Sequence, residues 1–326
     1  MQFTRTLPRE LVHRAAIAEV FLTDVQRHSA DEVLLAAQLP RLHAFYDDTL
    51  GPRTHHDPLL LLEACRQSIF VVAHHYFDVP LGHKFLLRSL AFEVPDPSAL
   101  ARDDHPTETV IGARVEHRFH GRTGVTGLRL GFTATTGARE ALLARVDYRW
   151  MPPGDWTRLR EGQRAELGLP HTPVALPGPR VDPGLVGRRD PANTVISPPH
   201  TSRDGARTAR LVARTGHPVL YDHWVDHVPA MLELEAFRQL ALNAALATGA
   251  VTPAAMPIGL AARFRRFAEM DLPLECRTAP APPGGDAACT LHQLGTLVTD
   301  ARIRLADRPP ARLSGASAPR GAHRPA

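Results

Sequence analysis

Lysine is almost missing from this 326-residue sequence: Lys84 stands alone against an arginine-rich background. The net charge of +4 and the pI near 9.3 are therefore carried by arginine. Those arginines are scattered, and aromatic residues to interleave with them make up only 6% of the chain. That pattern argues against a nucleic-acid footprint, and no helix-turn-helix segment with a basic recognition face is visible. A mildly basic surface suits acidic partners such as a carrier protein or a phosphorylated metabolite. Cysteine is scarce as well. Cys65, Cys276 and Cys289 are odd in number and widely spaced, which points to reduced thiols and no metal site, and no cofactor is expected. No uninterrupted apolar run of about 20 residues is available to span a membrane. The opening Met1 to Thr6 lacks the apolar core of a signal peptide. The expectation is a soluble, cytoplasmic protein with no membrane partner. A hydrophobic content of 44% is ordinary for a globular chain, and the length has room for two domains or one large one.

What is present is one unit written twice. Thr54 to Gln67 aligns without a gap on Asp226 to Gln239, pairing His55 with His227, Glu63 with Glu235, Arg66 with Arg238 and Gln67 with Gln239. Leu61 falls opposite Glu233. Each copy starts beside a proline, which suits the first turn of a helix. The first is apolar on almost every side, so it reads as a buried core helix from Pro58 to about Phe77; the second runs from Pro229 to about Thr248. Within each, Glu, Arg and Gln stand at i, i+3 and i+4, on one face. Buried charges must be paired and hydrogen-bonded. An internal ion pair is the structural reading and a polar pocket lining the functional one; recurrence of the whole Glu-Ala-x-Arg-Gln set favours function.

Around these helices the pattern is α+β. Strands are expected at Val12 to Val20 and Val33 to Gln38, with a polar turn at Thr23 to Asp31 between them. Further strands are expected at Phe85 to Val94, Thr107 to His120, Val125 to Thr135 and Ala141 to Trp150. Residues 151–204 are rich in proline and glycine and read as an interdomain linker between a first domain at 1–150 and a second at 205–306. In the second, strands are expected at Ala206 to Arg214, Leu260 to Met270, Ala287 to Leu294 and Gly295 to Leu305. The tail, 307–326, has a disordered composition.

These motifs resemble the AfsA-type γ-butyrolactone (A-factor) biosynthesis proteins, which are tandem hotdog proteins. The resemblance rests on His43-x-Phe45-Tyr46, Asp57-Pro58-Leu59-Leu60, Glu63-x-x-Arg66-Gln67 and Val79-Pro80-Leu81-Gly82-His83-x-Phe85 in the first half. In the second half it rests on His217-Pro218 through Tyr221-Asp222-His223, Asp226-His227-Val228-Pro229 and Glu235-Ala236-x-Arg238-Gln239. Val12-His13-Arg14-Ala15 adds to it, and the likeness covers most of residues 10–305. It implies a double hotdog: two central helices, each wrapped by a curved antiparallel sheet, paired as an intramolecular pseudo-dimer.

The activity it implies is transfer of a β-ketoacyl group from acyl carrier protein to a hydroxyl of dihydroxyacetone phosphate, followed by closure toward a butenolide. Glu235 or Glu63 would deprotonate the hydroxyl, with His227 as a further catalytic candidate. Arg238 or Arg66 would hold the phosphate, and Gln239, Gln67, His223 and Asp226 would line the substrate site. The helix start after Pro58 or Pro229 would offer free N–H groups to the thioester oxygen. Asp226-His227-Val228-Pro229 is the fuller polar entrance, which ranks the second-half set above the first. A hotdog thioesterase or dehydratase, and a non-catalytic acyl-binding regulator, are the competing readings. Whether pseudo-dimers associate into a homo-oligomer is left open by the residues.

Overall fold

The structure, a computed structural model, describes residues 1–122, 124–279, 281–282 and 284–309. Helix α1 spans Pro58–Tyr76 and begins for a local reason: the Asp57 carboxylate accepts from the Leu59 N–H at 2.9 Å, and Pro58 needs no partner there. From Pro58 to Ala73 every side chain but Arg66 is buried. Helix α3, Ala230–Ala247, is buried from Leu232 to Asn243 and follows Pro229, which supplies no side-chain cap. A shorter helix, α2, spans Pro153–Glu166.

Among the described residues, twelve antiparallel strands form one sheet. The first half supplies β1 (Leu22–Arg27), β2 (Glu32–Leu39), β3 (Lys84–Glu93), β4 (Thr107–Gly121), β5 (Gly124–Thr136) and β6 (Arg139–Met151). The second supplies β7 (His200–Thr201), β8 (Arg207–Arg210), β9 (Met256–Phe264), β10 (Glu275–Thr278), β11 (Ala287–Gln293) and β12 (Thr296–Ala306). Their order is β1-β2-β4-β5-β6-β3-β9-β12-β11-β10-β8-β7, so the halves meet where β3 pairs β9, with Leu90 opposite Ala262. Each six-strand half carries one helix against its buried face, which is the expected double hotdog. Among the described residues no helix is long and apolar enough to cross a membrane.

The repeat extends to the segments that precede each half. In the first, short 3-10 turns at Arg9–Val12 and Ile17–Glu19 lead to Phe21; in the second, turns at Pro183–Val186 and Pro191–Asn193 lead to Val195. Gln67 donates to the Glu19 carbonyl and accepts from the Phe21 N–H, while Gln239 donates to the Asn193 carbonyl and accepts from the Val195 N–H. Arg14 donates to Glu63 and across to the Val219 carbonyl of the other half. Arg188 does the same with Glu235 and the Phe45 carbonyl. Asp222 takes the N–H groups of Ala15 and Ala16; Asp48 takes those of Arg189 and Asp190. The recurring Glu and Gln therefore tie each strap to its helix while an arginine ties each strap to the opposite half.

Several expectations about elements change. Val12 to Val20 is not a strand, because its backbone is drawn onto α1 by Gln67; the strand is Leu22–Arg27, which takes up most of the stretch before Asp31 expected as a turn. Met256–Phe264 is a strand, so the run expected to begin at Leu260 starts earlier and ends before Met270. Only Arg207–Arg210 of the stretch Ala206 to Arg214 is extended in the sheet. Residues 151–204 hold α2 and the second strap. In the tail, Asp307 accepts from Thr252, and Arg308 donates to Ala254 and His55 carbonyls, so these two residues are tied down. Residues 310–326, expected to be disordered, lie outside the described residues.

Candidate active site

A cavity of about 780 Å³ lies between the halves, over the flank of α1 and the start of α3. Ile69 and Phe70 of α1, Leu87 of β3, Tyr148 of β6, Met231 of α3 and Phe264 of β9 give it an apolar wall. Polar groups reach it from three directions.

From the loop ahead of α3 come Asp226 and His227. The Asp226 Oδ1 lies 2.6 Å from His227 Nδ1, and Oδ2 accepts from Trp156 Nε1 at 3.1 Å and Arg160 Nε at 3.2 Å. Burial pushes the Asp226 carboxyl up, but the bonds from His227 and Trp156 and the Arg160 charge outweigh it and hold it below the usual carboxylate range. An ionised Asp226 only accepts, so the neutral imidazole carries its proton on Nδ1 and leaves Nε2 bare. Nε2 has no hydrogen-bond partner among the described residues. Phe267 packs edge-on to both His227 and Trp156.

The helix α3 itself contributes backbone. Leu232 and Glu233 N–H groups turn back to the Pro229 carbonyl, but those of Ala230 and Met231 have no acceptor among the described residues. Both residues line the cavity. At the equivalent end of α1 the cap is filled by Asp57. The exchange of Asp57 for Pro229 is what opens one helix start and closes the other. Two free N–H groups at the positive end of a helix dipole form a site for an oxyanion.

From α1 comes Arg66. Its Nε and Nη2 hold Glu63 at 2.6 and 2.8 Å, it lies over the Phe70 ring, and Nη1 has no partner among the described residues. His13, Lys84 and His223 stand around it as further cavity lining. His223, near Asp222, is pushed down by burial and by the Arg66 and Arg14 charges, so it stays neutral. His13 has a left-handed backbone, φ +53°, where the second strap has Gly187. Burial, with His74 and Arg66 nearby, lowers its imidazole to about 3.

The remaining expected site residues do not face this cavity. Glu63 is buried; burial raises its carboxyl, but Arg14 and Arg66 together bring it down to about 2. Gln67 is spent on the strap. Glu235 is likewise enclosed, accepting from Arg188, Arg238 and Gln239 at 3.1, 2.8 and 2.5 Å. Burial raises its carboxyl and the two guanidiniums more than reverse that. Arg238 turns its other arm to Asp57 at 3.0 Å. The geometry thus departs from the expected ranking: Arg66 of the first half and Asp226-His227 of the second share one cavity, while Glu235, Arg238 and Gln239 are buried away from it. The reason is pairing. Asp57 pairs with Arg238, and among the described residues nothing pairs with the outer arm of Arg66.

Residues 1–152 and 173–306 match the A-factor biosynthesis hotdog domain. The chain belongs to the A-factor biosynthesis hotdog family. Within that family it is 33% identical over 303 residues to a 2-oxo-3-(phosphooxy)propyl 3-oxoalkanoate synthase of Streptomyces virginiae, covering 90% of this chain and 96% of that one. A synthase of the same name from Streptomyces coelicolor is 32% identical over 298 residues, covering 90% and 89%. Among solved structures the chain is similar to a 12:0-ACP thioesterase from Umbellularia californica, with a TM-score of 0.52 at 11% identity over 86% of this chain and 99% of that one. That likeness concerns the fold alone.

For this A-factor-family chain, sequence reasoning missed Trp156 and Arg160 of α2, His13, and Glu233. Trp156, Arg160 and Arg164 recur every four residues, a helical stripe inside the Pro- and Gly-rich segment that could have announced α2. Among the described residues no group of His, Cys, Asp and Glu is arranged to hold a metal ion.

Proposed function

We propose that the protein is an acyltransferase that joins a 3-oxoacyl thioester to dihydroxyacetone phosphate, giving the ester for which its Streptomyces relatives are named. The observation that supports this most is the convergence, in one cavity, of a bare imidazole nitrogen, two free helix N–H groups and an unpaired guanidinium arm. In this reading Arg66 Nη1, with Lys84, takes the phosphate. The thioester carbonyl oxygen points at the Ala230 and Met231 N–H groups. His227 Nε2 accepts the proton of the attacking hydroxyl as its oxygen bonds to the carbonyl carbon. The negative charge then on the carbonyl oxygen is held by the two N–H groups. As the carbonyl re-forms, the carbon–sulfur bond breaks and the thiolate leaves with the proton from His227. Asp226 fixes the imidazole tautomer and favours the imidazolium that forms in between. The donor is carried as an acyl carrier protein thioester, whose arm enters past the exposed Trp224 and Leu81.

The test is turnover of a 3-oxoacyl carrier-protein thioester with and without dihydroxyacetone phosphate, read by mass spectrometry, beside His227→Gln. A phosphorylated 3-oxoacyl ester formed only with both substrates, and lost in the variant, supports the transferase. Free acid released at the same rate with or without the acceptor overturns it in favour of a thioesterase.

A further inference from the structure

One side chain of the cavity wall has no place in the chemistry above. Glu233 sits in the first turn of α3, where the equivalent residue of α1 is the apolar Leu61. It is 3% exposed and forms no ion pair among the described residues, unlike Glu63 and Glu235. Its hydrogen-bond partner among the described residues is Thr299 of β12, whose hydroxyl donates to Oε2 at 2.5 Å. Across the strand pair Thr299 stands opposite Phe264, which lines the cavity. The second oxygen, Oε1, has no partner among the described residues. Side chains on a helix lean toward its N-terminus, so Glu233 covers the turn that holds the free N–H groups of Ala230 and Met231.

An isolated carboxylate in such surroundings costs too much to keep charged, and the group stays neutral instead. Burial pushes the Glu233 carboxyl up to about 8, against the lowering pull of the Thr299 hydroxyl. At neutral pH it is therefore an acid, with Oε2 occupied as an acceptor and an O–H available from Oε1. An unshared donor in a largely apolar cavity, one helical turn from the oxyanion site, fits an oxygen that the acyl chain carries close to its thioester. We infer that Glu233 is a specificity residue that donates a hydrogen bond to the C3 carbonyl oxygen of the donor, so that 3-oxoacyl thioesters are held in preference to saturated ones. This rests on the cavity being the acyl-donor site proposed above.

The experiment is calorimetric binding, without dihydroxyacetone phosphate, of 3-oxooctanoyl and octanoyl pantetheine thioesters to the whole chain. The wild type is expected to prefer the 3-oxo chain by about tenfold, the value of one net hydrogen bond. Glu233→Leu should abolish that preference by weakening only the 3-oxo thioester, and it reproduces the residue tolerated at position 61. Glu233→Gln keeps a donor and should retain part of the preference, which covers the case in which the leucine variant fails to fold. A wild type without preference, or variants that weaken both thioesters equally, would overturn the inference. Selective binding with no transfer to dihydroxyacetone phosphate would sustain it while sinking the transferase reading. Binding of neither thioester by the wild type would sink both.

Discussion

Replacing Glu235 by glutamine separates an anchoring role from a catalytic one at the residue the repeat makes most conspicuous. Its carboxylate receives Arg188, Arg238 and Gln239 within 3.1 Å, and no atom of it lines the cavity. Glutamine keeps one acceptor oxygen but removes the charge, leaving Arg238 paired with Asp57 and Arg188 with no ion-pair partner among the described residues. Breaking a buried pair in this way costs ~3–5 kcal/mol, and the retained acceptor argues for the lower end, about 3. With a urea m-value of about 3 kcal/mol per M for a chain of this size, the unfolding midpoint falls by about 1 M. The strap carrying Arg188 loosens, but the cavity groups stay in place, so kcat of the folded fraction should change by less than about threefold. The assay is equilibrium urea unfolding followed by tryptophan fluorescence, paired with turnover in the absence of denaturant. An unchanged midpoint together with a loss of more than a hundredfold in kcat would refute the reasoning and return Glu235 to the chemistry.

Three further outcomes follow from the same geometry. His227→Gln should lower kcat by about 10²–10⁴ with little change in the unfolding midpoint, since it removes a base and keeps most of the packing; a drop in stability without loss of kcat would assign His227 to the fold. Arg66→Met should raise the KM for dihydroxyacetone phosphate by roughly 10–150-fold, the value of a charged hydrogen bond, and leave the KM for the thioester unchanged; equal effects on both substrates would contradict phosphate binding. Glu233, raised in the fold to about 8 from an ordinary 4.5, gives stability that is whole below about 4.5 and lost as pH rises through 8. Glu233→Gln should therefore flatten the decline of stability between pH 5 and pH 9, leaving the variant ahead by roughly 2–5 kcal/mol at the upper end; parallel curves for the two proteins would rule out the neutral acid.

The two buried helices and the α+β pattern were legible from the residues, because a helix apolar on nearly every side has to be buried; the double hotdog itself followed from the resemblance to the A-factor biosynthesis proteins. Pro58 announced the start of α1, since proline suits a first helical turn, while the Asp57 cap appears only in the structure. The straps were not legible. Residues 9–21 and 183–195 hold their shape through Gln67 and Gln239, far along the chain, and their own composition reads as strand in one case and linker in the other.

The sequence alone determined that Glu, Arg and Gln recur on one face of two core helices, because helical spacing is a local property. Which copy faces a cavity was decided only by the tertiary structure. Arg66 and Arg238 look alike along the chain, yet Asp57 pairs the second and, among the described residues, nothing pairs the outer arm of the first. Electrostatic pairing depends on distance in space, and the residues that set it here lie in the opposite half. The same holds at the helix starts, where a carboxylate closes α1 and a proline leaves α3 open to the space between the halves.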